Sequence, residues 1–251
     1  MSTQNTITSM HRLMTYMQET DSGTPSLFKQ IFFKESTRVL APVIMRDCDA
    51  EEQARTMQEF SLEPLDTPVL FGEGPRRMGK TDTVAHVLAA LLLSVPHITV
   101  AFFAPRDELV ECAFKRAIDW LTRLNTDEFV TKTGNFKFEV SATNKAKLTS
   151  IIVASDEEPD DVRTVYFYGE SDPPAVDVSD DSDVVVCDEA HLAPEATVQV
   201  MIELATKGAR TLLVSTPSAD VSPAQKIVDG RIGGRPMCRM VRAYEASIVQ
   251  E

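Results

Sequence analysis

The sequence has few cysteines and histidines and no long apolar run. Its four cysteines stand far apart with no C-x-x-C pair, at Cys48, Cys112, Cys187 and Cys238. Such spacing argues against a zinc site or a disulfide framework and suits a reducing compartment. The four histidines are too few and too scattered to build a metal centre. No apolar stretch reaches the roughly 18 residues of a membrane span, and the start of the chain lacks a signal peptide, so we expect a soluble protein that is not secreted.

Acidic residues outnumber basic residues, and the sequence has only 10 glycines. The 251 residues carry 38 acidic and 25 basic side chains, a formal net charge of -13, whereas proteins that grip nucleic acid usually concentrate lysine and arginine on a contact face. Eleven of the acids lie between residues 156 and 183 beside a single base, Arg163. We predict a solvated loop there, with a docking surface for a basic partner as the alternative. With 43% hydrophobic content, the chain can bury one α/β core and a small N-terminal addition, but not a second large domain.

What the sequence does contain is a phosphate-binding loop signature. Residues 74–81 fit G-x-x-x-x-G-K-[ST], in which main-chain N–H groups surround phosphates while the lysine and the hydroxyl contact the terminal phosphate and Mg²⁺. A strand-type run over 68–72 precedes the loop and a helix-type stretch over 83–95 follows it, so that a helix N-terminus faces the phosphates. The predicted nucleotide-binding residues are Gly74, Pro75, Met78, Gly79, Lys80 and Thr81.

The same loop holds two arginines, Arg76 and Arg77. Cations inside a phosphate loop either touch phosphate oxygens or are positioned to respond to them. We predict that one of the two is a phosphate contact or coupling residue within its own subunit and that the other reaches an acid. Together with Lys80, they are predicted catalytic residues.

A second apolar run ends in two acids. Three valines in succession over residues 184–186 predict a strand that is buried on both faces, as in a parallel sheet. Asp188, at the carboxyl end of this run, is predicted to hold Mg²⁺ with Thr81, because Mg²⁺ takes a few carboxylates plus phosphate oxygens and waters. Glu189 is the predicted catalytic base that orients and deprotonates the attacking water. The alternative is a solvated acidic start of a helix.

A third apolar run, over residues 211–217, ends in hydroxyl residues and a proline. In phosphate-loop ATPases a polar residue at the tip of the strand beside the acidic one can sense the γ-phosphate, so Ser215 and Thr216 are predicted nucleotide contacts. A strand end capped by hydroxyls is the alternative. His191, two residues beyond Glu189, is predicted to be a histidine with satisfied hydrogen bonds at a helix start, with coupling to the γ-phosphate as the alternative.

Together these motifs resemble the ATPase domain of the large terminase subunit, the viral motor that pumps DNA into preformed capsids. The resemblance runs over residues 68–227 and is carried by Pro-Arg-Arg-x-Gly-Lys-Thr, Ala-Pro-Arg-Asp with the helix after it, Val-Cys-Asp-Glu-Ala and Val-Ser-Thr-Pro. The two loop arginines are most similar to the herpesvirus-type version. Two features depart from that family: His191 stands where the herpesvirus pattern has asparagine, and the RNase H-like nuclease that normally follows is missing here.

The resemblance implies a RecA-like α/β fold with a mainly parallel sheet flanked by helices. Amphipathic patterns upstream of it predict a helical N-terminal segment over residues 1–60 that packs on a P-loop ATPase domain over residues 61–251. The implied activity is Mg²⁺-dependent ATP hydrolysis that drives double-stranded viral DNA into capsids, without nuclease activity in this chain. The implied partners are that DNA, the portal protein, other terminase subunits in a homo-oligomeric ring and a nuclease domain or chain missing here, with no membrane. The implied location is intracellular, in the host nucleus for a herpesvirus type or the host cytoplasm for a phage.

Other function classes stay open. Asp-Glu-Ala-His at residues 188–191 is also the box of one group of superfamily 2 helicases, whose first lobe has the same fold, although the chain leaves no room for the second lobe. A stand-alone P-loop ATPase, or a scaffold that keeps the fold without hydrolysis, is a further alternative. The presence of both Lys80 and Glu189 argues against the scaffold, which has no chemical use for a correctly placed base.

Weaker patterns predict the surroundings of the site. Helices are predicted over residues 7–18, 26–33, 49–60, 108–124 and 194–206, and strands over 98–104 and 148–153. Gln53 or Gln58 is a predicted adenine contact by similarity to terminases and helicases, with a plain helix-surface position as the alternative. Ring motors often complete the phosphate site with an arginine from the neighbouring subunit. The nearest candidates for it are Arg231, Arg235, Arg239 and Arg242.

Overall fold

A computed structural model describes residues 27–46, 48–59, 66–124, 138–145, 148–155, 160–170, 182–218 and 222–243. The helices are α1 (Leu27–Ile44), α2 (Ala50–Glu59), α3 (Lys80–Ser94), α4 (Asp107–Leu124), α5 (Glu195–Lys207) and α6 (Gln225–Asp229). The strands are β1 (Val69–Glu73), β2 (Thr99–Phe103), β3 (Phe138–Lys145), β4 (Leu148–Ser155), β5 (Val162–Tyr168), β6 (Val184–Cys187), β7 (Arg210–Ser215), β8 (Arg231–Ile232), β9 (Arg235–Pro236) and β10 (Cys238–Arg242). A short 3₁₀ turn, Ala190–Leu192, links β6 to α5.

Eight of these strands form one sheet, in the order β10-β1-β7-β6-β2-β5-β4-β3. The strands from β10 to β5 run parallel, and β4 and β3 add an antiparallel hairpin at one edge. β7 therefore lies between β1, which leads into the phosphate loop, and β6, which leads into the acidic pair. Because the carboxyl ends of parallel strands meet at one edge of a sheet, the loop, the acids and the end of β7 converge there.

Helices cover both faces of the sheet, and each face has its own apolar core. α1, α3 and α4 pack on one face, where Phe32, Leu88 and Trp120 are buried. α5 and α6 pack on the other face, where Met201 and Ile227 are buried. Because the central strands are covered on both sides, they are apolar at nearly every position, as expected for parallel strands.

The contact between α1 and β1 depends on a glycine. A β-carbon at Gly72 would stand 2.7 Å from two ring carbons of Phe32 and 3.0 Å from the ring of Phe28. Real β-carbons do not come that close to other heavy atoms, so only a residue without a side chain fits. Gly72 thus lets α1 lie directly on the strand that carries the phosphate loop.

The predicted α/β fold with a mainly parallel sheet is confirmed, but some of its parts differ from prediction. The acid-rich stretch 156–183 is not all loop, because β5 crosses it inside the sheet. β-branched and aromatic residues form this strand, and its single base, Arg163, is buried in an ion pair with Asp161 at 2.5 Å. The helix predicted over residues 26–33 continues to Ile44. The sequence patterns also do not predict β10, which pairs with β1.

The helix ends follow ordinary capping chemistry. Asp49 caps α2 by accepting a hydrogen bond from Glu52 N at 2.8 Å, and Gly208 ends α5 with a φ of 113°.

The helix predicted over residues 7–18 lies outside the described residues. None of the described helices is both long and apolar enough to cross a bilayer.

Candidate active site

The phosphate loop joins β1 to α3 and contains two left-handed residues. Gly79 has a φ of 75° and Arg77 a φ of 69°, which lets the chain turn sharply into the N-terminus of α3, where the first N–H groups have no partner within the helix. Lys80 is 5% exposed, and its Nζ donates to the main-chain oxygens of Gly74 at 3.0 Å and Pro75 at 3.1 Å. The ammonium is therefore held inside the loop, where phosphate oxygens can replace the two carbonyls.

Asp188 meets the hydroxyl that follows the loop lysine. Thr81 Oγ1 donates to Asp188 Oδ2 at 2.5 Å, and Glu189 N donates to Asp188 Oδ1 at 2.9 Å. Asp188 is fully buried, and burial raises its pKa above the ordinary value, against the opposing effect of the Thr81 hydrogen bond. A cation would stabilise this buried carboxylate, and the two side chains offer the oxygen ligands that Mg²⁺ prefers. No group of three or more histidine, cysteine or acidic side chains among the described residues could hold a metal ion.

Glu189 is fixed by its backbone and by Thr216. Its backbone is left-handed, with φ 49° and ψ 49°, a conformation that costs a non-glycine residue about 1 kcal/mol or more. Its carboxylate accepts hydrogen bonds from Thr216 N to Oε2 at 3.1 Å and from Thr216 Oγ1 to Oε1 at 3.0 Å. Lys80 Nζ lies 3.8 Å from the same Oε1. The two hydrogen bonds from Thr216 hold this carboxylate beside the loop lysine.

His191 links the acid to the end of β7. Its main-chain N–H donates to Ser215 Oγ at 3.1 Å, and its Nδ1 lies 2.7 Å from the same oxygen. Nδ1 is also 3.3 Å from Glu189 Oε2. Burial lowers the pKa of His191, against the opposing effect of Glu189, so the imidazole is neutral near pH 7. The histidine thus ties the acidic turn to the strand that lies between β1 and β6.

These groups surround a cavity of about 450 Å³ at the sheet edge. Five cationic side chains line it against only two acids. In a chain with a net charge of -13, such a concentration of positive charge indicates an anion site. The cations are Arg76, Arg77, Lys80, Arg106 and Arg116; the acids are Asp82 and Glu189; and the other lining residues are Gly79, Thr81, His191, Leu192 and Thr216.

Four residues that are predicted to contact the nucleotide make other contacts in the structure. Met78 packs its side chain against the apolar core. Gly74 and Pro75 face Lys80 with their carbonyls. Ser215 is fully buried and binds His191. The nucleotide contacts assigned to these residues remain predictions.

Three charged residues that line the cavity, Asp82, Arg106 and Arg116, and the apolar Leu192 are absent from the sequence-based site. Arg106 follows β2 closely, and a polar residue just after a parallel strand is a signal that could have identified it. Arg116 lies in the middle of α4, and Asp82 one residue beyond the signature. No sequence pattern reveals that these two side chains turn towards the cavity.

Other predicted contacts do not line the cavity. Gln53 donates its side-chain amide to Met45 O at 3.2 Å and Cys48 O at 3.1 Å, and Gln58 is exposed on α2. Of the C-terminal arginines, which are predicted to complete the site of a neighbouring subunit, three form ion pairs within this chain: Arg235 with Asp66, Arg239 with Glu35 at 3.7 Å and Arg242 with Glu73 at 3.2 Å.

No protein-family model matches the sequence, and no curated protein matches it. Solved structures do match. The large terminase ATPase domain of Thermus phage P74-26 is 16% identical, with a TM-score of 0.52 over 78% of this chain and 88% of that one. The large terminase of bacteriophage HK97 is 15% identical, with a TM-score of 0.51 over 82% of this chain and 43% of that one. At these identities the likeness establishes the fold: the chain has the RecA-like α/β fold of terminase ATPase domains.

Proposed function

We propose that this chain binds ATP with Mg²⁺ and hydrolyses it. The observation that carries the proposal is the meeting of two sequence motifs at one sheet edge. Thr81 binds Asp188 across 107 residues of sequence, and Lys80 lies beside Glu189 at 3.8 Å. Phosphoryl transfer to water needs a cation at the terminal phosphate, oxygen ligands for Mg²⁺ and a base for the water, and these residues supply all three.

Each side chain has a role that follows from its position. Lys80 exchanges its contacts with the Gly74 and Pro75 carbonyls for phosphate oxygens. Thr81 and Asp188 hold Mg²⁺, which when bound neutralises charge on the phosphates. Glu189, oriented by Thr216, takes a proton from the attacking water. Arg76 and Arg77 bring two more positive charges to the phosphates from the loop itself.

Two substitutions test these roles, because the roles predict a loss of nucleotide binding for one and a loss of hydrolysis for the other. Lys80→Ala removes a phosphate contact and should weaken binding of a fluorescent ATP analogue by about tenfold or more. Glu189→Gln keeps the shape of the side chain, so it should leave binding unchanged and reduce phosphate release by about a hundredfold or more. Glu203→Gln is the matched control, since Glu203 lies exposed on α5. Equal loss of binding in the Lys80 and Glu189 variants would contradict the assignment.

We further propose that this ATPase is the motor domain of a terminase large subunit, which drives double-stranded viral DNA into preformed capsids. Support comes from the shared fold and from the motifs that resemble terminases. In this proposal the partners are the portal protein and other terminase subunits in a ring, and a domain or chain beyond this one supplies the nuclease. The herpesvirus type rests on Arg76 and Arg77 alone, and it would place the protein in the host nucleus, whereas a phage type acts in the host cytoplasm.

The motor proposal predicts that turnover depends on assembly. The isolated chain should hydrolyse ATP slowly, and the rate per subunit should rise with protein concentration and with added DNA. An arginine from a neighbouring subunit can raise the rate by on the order of 10³. The C-terminal arginines remain the candidates, although assembly would have to exchange the ion pairs of Arg235, Arg239 and Arg242. Fast turnover that is independent of concentration would instead favour a stand-alone ATPase, and strand separation would favour a helicase lobe.

A further inference from the structure

We propose that Arg116, held in place by Asp82, contacts the phosphates of the bound nucleotide from the α4 side of the cavity. This inference rests on the proposed nucleotide binding. It adds a contact that lies outside the phosphate loop, the acidic pair and the end of β7.

Three helices meet at the carboxylate of Asp82. The residue lies in the first turn of α3, directly after Lys80 and Thr81. Its Oδ1 accepts a hydrogen bond from Arg116 Nη1 on α4 at 2.7 Å, and its Oδ2 accepts one from Lys29 Nζ on α1 at 3.1 Å. Asp82 and Arg116 both line the cavity. The arginine is therefore anchored at the cavity wall by the helix that follows the phosphate loop.

Charge explains why a cation is needed at this point. An acid in the first turn stabilises a helix through the unpaired N–H groups there, but the same N-terminus is proposed to bind phosphates. An uncompensated Asp82 would repel them. Lys29 and Arg116 together outweigh its single negative charge, so this part of the wall attracts an anion instead.

Arg116 is better placed than Lys29 to meet the nucleotide. The side chain of Lys29 is 7% exposed, whereas that of Arg116 is 45% exposed and borders the cavity. Asp82 accepts a hydrogen bond from Nη1, and the guanidinium has further N–H groups that can donate hydrogen bonds to a phosphate. Because the carboxylate already restricts the arginine, less conformational freedom is lost when a phosphate binds.

Titration of the full chain with a fluorescent ATP analogue and Mg²⁺, at fixed salt, tests the contact. Arg116→Gln should bind about five- to tenfold more weakly, as expected for a charge-assisted hydrogen bond in a partly exposed site. Lys115→Gln is the matched control. It removes a neighbouring cation on the same helix that pairs with Glu111 and is absent from the cavity lining, so binding should stay within about twofold of the wild type. Thermal unfolding of each variant checks that it is folded.

Asp82→Asn distinguishes an anchored contact from a general charge effect. If Arg116 acts only through its charge, removing the negative charge of Asp82 should tighten binding. If Asp82 positions the arginine, the same change should weaken binding by about threefold or more. Tighter or unchanged binding in Asp82→Asn overturns the proposal, as does wild-type binding in Arg116→Gln.

Lys80→Ala in the same titration separates this inference from the proposed function. If Lys80→Ala weakens binding while Arg116→Gln does not, only the contact by Arg116 fails. If Lys80→Ala binds as tightly as the wild type, the nucleotide site itself is wrong.

Discussion

The hydroxyl of Thr216 provides a sensitive test of how the catalytic acid is held. Thr216 binds both oxygens of the Glu189 carboxylate, with its main-chain N–H on Oε2 and its hydroxyl on Oε1. Thr216→Val keeps the branched shape and the N–H but removes the hydroxyl. Oε1 then loses its hydroxyl donor, and the carboxylate, which Thr216 now holds only through the N–H on Oε2, is less well oriented towards the water that it must deprotonate.

The expected effect follows from the strength of that one hydrogen bond. A hydrogen bond to a charged group contributes about 1.5 to 3 kcal/mol. The Glu189 side chain is 18% exposed, so water replaces part of the loss, and we expect about 1.5 kcal/mol, or roughly tenfold in rate. The loss should appear in kcat, because Thr216 acts on the base rather than on the ground-state binding of ATP.

The assay compares phosphate release at saturating ATP with the affinity for a fluorescent ATP analogue. Thr216→Val should lower kcat about tenfold and leave affinity within about twofold of the wild type. Thr216→Ser, which keeps a hydroxyl, is the control and should retain most of the activity. If the valine and serine variants lose activity equally, or if valine weakens binding rather than turnover, the hydroxyl does not orient Glu189.

Three further predictions concern the fold and the limits of the activity. Gly72→Ala forces a β-carbon against Phe32 and should destabilise the chain by about 2 kcal/mol, seen as a lower unfolding temperature. Gly74→Ala, whose β-carbon would meet nothing closer than 3.5 Å, should unfold near the wild-type temperature, and equal shifts would refute the packing argument. Burial opposes ionisation of Asp161, but hydrogen bonds from Arg163 and from His97 N hold its pKa below the ordinary value. The ionised carboxylate therefore stabilises the fold above about pH 4, and this stabilisation is lost as the pH falls. In urea unfolding, the stability gap between wild type and Asp161→Asn should therefore shrink between about pH 5 and pH 3; a constant gap would count against it. Purified protein should not cleave plasmid DNA with Mn²⁺. Cleavage that disappears when Asp180 and Asp181, two acids of the acid-rich stretch 156–183, are changed would contradict this prediction.

The motifs of the site could be predicted from sequence because each is local. The phosphate loop occupies eight consecutive residues, 74–81, and Asp188 and Glu189 follow three valines after a single cysteine, Cys187. Such patterns need only a strand, a turn and a helix in succession. The RecA-like fold is what the resemblance of these motifs to terminases implies.

What the sequence could not reveal depends on contacts between distant segments. The sequence predicts that Thr216 senses the γ-phosphate, but it does not predict the hydrogen bonds from Thr216 to Glu189. These bonds require β7 to lie beside β6, and no local sequence pattern specifies the order of the strands in the sheet. The pairing of Asp82 with Arg116 depends on how α3 and α4 are rotated against each other. β5 is not predicted for another reason: the number of acids around it outweighs its run of β-branched and aromatic residues.

The most direct test of the central claim is the identity of the nucleotide recovered from Glu189→Gln. The variant and the wild type are each incubated with ATP and Mg²⁺, separated from free nucleotide, and quenched, and the bound nucleotide is identified by chromatography. The account predicts ADP on the wild type and intact ATP on the variant, because Glu189 is needed for hydrolysis and not for binding. ADP on both proteins in equal amounts would show that hydrolysis does not use Glu189.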